Sequence, residues 1–210
     1  MITLPNTLPA NYISEEEAKK ILESHLPILT NCIKVAWQQW ERLDEKAPDL
    51  RFPLAARTRA CFIYDHICYE VKHQFEGVSG VSINDKPEFV LLNIENLILI
   101  RFKKLNSASQ GSNIATIQQD NYNLQLELPG IPNSAARITA GYLLDKIQAT
   151  IKDIRIAFPV DRRGKRVLWS FSLLGTKIEV VQPEMEFKEP TKPRVKAKAV
   201  IQKTRKTSEQ

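Results

Sequence analysis

At 210 residues, 43% apolar and 26% charged, the chain has a globular composition with room for one ordinary domain and a real core. No run approaches the roughly 18 apolar residues of a membrane span. The start, MITLPNTLPA, lacks the basic and continuous apolar segments of a secretory leader, so the sequence predicts a soluble, cytoplasmic protein. The formal charge of +6 resides entirely in residues 188–210, where eight bases face two acids, and the preceding chain is formally neutral.

Ser14 followed by Glu15, Glu16 and Glu17 is a capping-box start with acids at the positive end of a helix dipole. Apolar residues from Ile21 to Trp40 keep a period near 3.6, with Pro27 placed to kink or split the helix and Ala47-Pro48 to close it. A second helix opens near Pro53 and runs to Phe75 before Gly77, which predicts a helical hairpin over 14–77. Strand texture follows. Glu88–Leu92 and Leu97–Leu105 read as a β-hairpin about a 93–96 turn, and 114–128 as a polar, Gln/Asn-rich connection of helical leaning. Arg137–Leu144, Ile154–Phe158 and Val167–Leu174 complete the strands, with a turn at 161–165.

This order predicts an α+β protein, a helical hairpin packed on a mainly antiparallel sheet. An extension spans 1–13, a single domain 14–187 (sheet region 78–182), and a disordered basic tail 188–210. The tail bases Lys196, Lys198, Lys203, Arg205 and Lys206 suit a phosphate polymer bound through counterion release, without sequence reading. An antitoxin would suit them as well, and anionic lipid is a third possibility that no strongly amphipathic basic helix supports.

Three cysteines without a C-x-x-C pair argue against a disulfide framework and a structural zinc site. Cys68 points about 200° away from His66 around a helix, so His66, Cys68 and His73 cannot converge on a metal. No nucleophile elbow, Walker loop, zincin or dinucleotide fingerprint is present, and no cofactor is implied. Two constellations remain. Arg59, His66, Glu70 and His73 share one helix sector as a polar stripe, which a solvated helix face would also explain. Arg57, Arg101, Lys103, Lys104, Arg137 and the turn bases Arg162 and Arg163 would form a phosphate track if the sheet made them neighbours, and are otherwise solvated strand ends.

Arg59 and His66 spell R-x6-H, which resembles the signature of HEPN ribonucleases. The resemblance implies metal-independent RNA cleavage, with His66 exchanging protons with a ribose hydroxyl or the leaving oxygen and Arg59 stabilising phosphate charge. At chain level, LRFPLAARTRACFIYDHICYEV (50–71), LILIRFKKLN (97–106), SNIATIQQ (112–119) and LPGIPNSAARITAGYLLD (128–145) resemble small phage and bacterial proteins similar to the toxin half of RosmerTA-type toxin–antitoxin modules. That resemblance implies an effector role and an antitoxin partner with an ImmA/IrrE-like domain. The rival expectation is a non-enzymatic nucleic-acid-binding accessory protein.

Overall fold

A computed structural model of the chain describes residues 8–51, 54–86, 89–111, 116–126 and 134–175. The expected basic tail lies outside the described residues.

The helices form as their local chemistry directs. Ser14 caps α1 (Glu15–Leu22) through a complete capping box, its hydroxyl accepting from the Glu17 amide while Glu17 accepts from the Ser14 amide. Pro27 splits the long apolar period: α2 (Leu26–Lys46) restarts with the proline in its first turn, where a missing N–H costs nothing. A single turn, α3 (Pro48–Arg51), then leads to α4 (Ala56–Gln74), which begins slightly later than the expected Pro53. Asn31 near the start of α2 bonds Gln74 at the end of α4, and Trp40 meets Phe62 edge-on at 5.6 Å, so the two helices run antiparallel.

Six strands make one sheet in chain order: β1 (Val81–Lys86), β2 (Phe89–Ile94), β3 (Ile98–Lys104), β4 (Ala136–Leu144), β5 (Ile151–Pro159) and β6 (Val167–Ser172). The α+β expectation holds. Glu95 and Asn96 both take positive φ, closing the β2–β3 hairpin with the turn that matches strand twist. Two features depart from the sequence reading. β1 is an additional edge strand, held to α4 by the Lys72–Asp85 ion pair at 2.5 Å. The pair β3–β4 is parallel, so residues 105–135 form a crossover that carries α5 (Ile117–Asn123). The parallel pair needs Gly141, where a Cβ would lie 2.0 Å from the Lys103 carbonyl oxygen.

The sheet's two faces differ. One packs Ile98, Ile100, Phe102, Ile138, Ala140, Ile154, Ile156 and Phe158 against Leu22, Leu29, Ile33, Ala36, Ile63, Ile67 and Val71 of the helices as the main core. The other carries Leu99, Arg101, Lys103, Arg137 and Thr139 beneath α5, with a small apolar cluster of Leu91, Leu99, Tyr122 and Ala135. Tyr122 anchors α5 by donating to the carbonyls of Leu99 (2.9 Å) and Ile138 (2.6 Å). Gln125 fills the place where Pro159 cannot donate a ladder bond. Its Oε1 accepts from the Arg137 amide at 2.8 Å, and its Nε2 reaches the Arg137 and Pro159 carbonyls at 2.8 and 3.1 Å. Phe102 belongs to the main core and Trp169 packs against Phe158.

Candidate nucleic-acid interface

The polar stripe on α4 separates into unlike parts. Arg59, in the helix's opening turns, donates through Nη1 to the Gln148 carbonyl at 3.0 Å and through Nη2 to Gln148 Oε1 at 2.5 Å. His66 is half-buried and its ring lies against Phe62, centroids 4.5 Å apart, while Phe62 in turn meets Trp40. Glu70 accepts from Gln74 at 2.7 Å, and His73 stacks in the open on Tyr69. Seven helical positions put Arg59 and His66 about 10.5 Å apart along the axis. The structure gives them separate partners instead of a shared one.

Arg59 instead meets a residue far off in sequence. Lys104, at the C-terminal end of β3, donates to the same Gln148 Oε1 at 3.1 Å. Burial and the charge of Arg59 hold the Lys104 ammonium below its usual pKa. Gln148 sits at the β4–β5 hairpin tip, which Asp145 organises: its carboxylate accepts from the Ala149 amide at 2.7 Å and the Thr150 hydroxyl at 3.2 Å, and Gln148 takes φ +58°. Lys146, in the same hairpin tip, is exposed, and so is Arg57 elsewhere on the α4 surface. Among the described residues no carboxylate forms an ion pair with Arg57, Arg59 or Lys104. Two cations thus share one neutral oxygen, where a phosphate oxygen would be better matched.

The expected phosphate track is divided, which corrects the idea of one continuous sheet surface. Lys104 belongs to the hairpin-tip patch with Arg59, while Arg57, two positions from Arg59 on α4, points about 200° away around the helix. Strand alternation sends Arg101 and Lys103 to the opposite, α5-covered face. Arg101 is only 9% exposed, its guanidinium carbon 4.9 Å over the Tyr122 ring, and Arg137 is fully buried. Burial lowers the pKa of both. Lys103 is lowered to about 8, by burial first and by Arg101 second. Arg162 and Arg163 are exposed on the turn closed by Gly164 at φ +63°. The tail bases Lys196, Lys198, Lys203, Arg205 and Lys206 lie outside the described residues.

On that inner face, Arg101, Lys103, Ser109, Gln119, Asn123 and Thr139 line a cleft of about 10 Å³, room for a single water. Among the described residues no cluster of three His, Cys, Asp or Glu is arranged to hold a metal ion. Cys32 and Cys68 are buried and Cys61 is exposed, all three as free thiols. Gln148, Asp145, Tyr122 and Gln125 escaped the sequence reading, because neutral polar residues in loops carry no spacing signal until the fold places them.

No protein-family model matches the chain, and neither the curated proteins nor the solved structures compared with it gave a match. No described helix is long and apolar enough to cross a membrane.

Proposed function

We propose that the protein binds nucleic acid without cleaving it, gripping phosphates at the hairpin-tip patch of Arg59, Lys104 and Lys146, with exposed Arg57 and the basic tail adding charge. The convergence of Arg59 and Lys104 on Gln148 Oε1 carries this reading, since it is a pair of cationic donors with which no described carboxylate forms an ion pair. The biological setting suggested by the chain's resemblance is the effector half of a two-gene toxin–antitoxin or phage-defence module, with an ImmA/IrrE-like antitoxin as partner.

The second reading is a metal-independent ribonuclease using Arg59 and His66. The seating of His66 on Phe62 and of Arg59 on Gln148 favours binding over cleavage. Both readings are tested by fluorescence anisotropy with labelled RNA and DNA, run beside a growth assay in cells expressing the protein. Binding that weakens in the Arg59→Ala/Lys104→Ala variant, with His66→Ala unchanged, supports the first. Growth arrest relieved by His66→Ala at equal protein level would replace it with the second. Removal of residues 188–210 should flatten the salt dependence of binding.

A further inference from the structure

The β4–β5 hairpin tip carries one side chain that a grip on phosphates does not use. Residues Asp145, Lys146, Ile147 and Gln148 form a hydrogen-bonded turn, the Gln148 amide donating to the Asp145 carbonyl at 3.1 Å. The Asp145 amide donates in turn to the Thr150 carbonyl at 3.0 Å, which closes the loop. Ile147 stands at the apex and is 83% exposed. Ile117 is as open, but it lies two positions from residues outside the described ones, whereas Ile147 sits well inside the described stretch 134–175.

The apex is braced on both sides. The Asp145 carboxylate is turned into the loop, onto the Ala149 amide and the Thr150 hydroxyl. Gln148, next to Ile147, is held through its carbonyl by Arg59 and through its Oε1 by both Arg59 and Lys104. Lys146, on the other side, is exposed. An aliphatic side chain is thus presented on a fixed turn among three cations, and a fixed turn has little freedom left to lose on insertion.

We propose that Ile147 is a wedge that enters a base step of double-stranded DNA from the minor groove, while Arg59, Lys104 and Lys146 hold the flanking phosphates. The wedge rests on the nucleic-acid reading above and narrows its ligand to a duplex that bends. Phosphate contacts position a protein on the backbone, and an inserted apolar side chain leaves water by parting two stacked pairs and kinking the helix. One aliphatic side chain is enough for that. A bilayer, by contrast, is held by an acyl chain or a whole apolar helix face, far more surface than one isoleucine offers. The step parted should be one that unstacks readily, pyrimidine followed by purine.

Energy transfer between dyes on the two ends of a duplex of about 20 base pairs, with a central TA step, tests the wedge on the full chain. Anisotropy on the same duplex gives affinity, and aminopurine in place of the adenine at the step reports unstacking. At saturation the wild type should raise both energy transfer and aminopurine emission, in keeping with a kink of roughly 20–90°. Ile147→Ser should lose both signals and bind about tenfold more weakly, with its salt slope unchanged because no phosphate contact is lost. Ile147→Leu should restore both signals. At an exposed turn position, Ile147→Ser should also unfold at the wild-type urea midpoint.

Wild-type binding with neither signal would overturn the wedge and leave the phosphate grip standing. Both signals intact in Ile147→Ser would overturn it too. No binding to duplex or single strand would remove the grip and the wedge together. Flotation of the wild type with phosphatidylserine vesicles, lost in Ile147→Ser and unaccompanied by either duplex signal, would assign the apex to a lipid surface and overturn the wedge.

Discussion

Arg59 and Lys104, from the start of α4 and the end of β3, donate to a single side-chain oxygen, Gln148 Oε1, at 2.5 and 3.1 Å. Two like charges held this close repel, and one neutral oxygen offsets little of that repulsion. Gln148→Glu places a carboxylate at the same point. The variant should be more stable by about 0.5–1 kcal/mol, the ordinary worth of a surface ion pair. Its affinity for nucleic acid should fall about tenfold, with a salt slope shallower by one to two counterions. Anisotropy titrations between 50 and about 200 mM salt, with a urea melt alongside, check both. A variant that gains stability yet binds as before would remove this patch from the interface.

Lys103 sets part of the alkaline behaviour. Its folded pKa of about 8 lies below the unfolded value near 10.4, so between these limits the unfolded chain holds a proton that the folded chain has released. Stability attributable to this lysine therefore rises with pH through that window. Buried Cys68, raised to about 11, and Tyr64, raised to about 12, act in the opposite sense, and Cys32, Tyr122 and Tyr142 are raised further by burial. These five groups stay protonated in the fold where unfolded thiols and phenols release protons, so total stability declines above about pH 9. Lys103→Met isolates the lysine. In chloride buffer the variant should be more stable than wild type by about 2 kcal/mol at pH 7, with the gap closing between about pH 8 and 10. Paired urea melts across that range give the difference directly.

Gly141→Ala should be severe. The added Cβ meets the Lys103 carbonyl oxygen at 2.0 Å and the Leu105 side chain at 2.8 Å, and the first of these is ladder backbone that cannot step aside. Separation of β3 from β4 would expose both faces of the central sheet. A loss of about 3 kcal/mol or more is expected, read as a shifted urea midpoint or as failure to accumulate folded protein.

Gln125→Leu should lose about 2–4 kcal/mol despite similar volume. The change leaves the Arg137 amide, the Arg137 and Pro159 carbonyls and Asn11 Nδ2 without this partner, in a setting where Gln125 is 8% exposed. Asn11 retains its bond to the Ala135 carbonyl at 2.8 Å, which keeps the loss below a simple sum. Chemical denaturation gives the value, and hydrogen exchange at the Arg137 amide should accelerate first.

Much of the fold was legible locally. The capping box at Ser14, the break at Pro27, the β2–β3 turn and the strands from 136 onward follow from signals within a few residues, so the helix and strand order could be written down before any contact was known. β1 was missed because an edge strand of mixed polarity, VSINDK, pairs on one side and needs no strong apolar pattern. The parallel β3–β4 pair was missed because direction is decided by where a long crossover lands, which no local spacing records.

The same division separates the site's parts. Sequence alone located the bases and placed the net charge at residues 188–210, since charge is a property of composition. Strand alternation also put Lys104 and Lys103 on opposite faces. Only the tertiary structure joined Arg59 to Lys104 through Gln148 and drew Arg101 and Arg137 into the interior. Burial and proximity depend on which segments cover which face, and α5 covers this one only because the crossover between parallel strands must pass over it.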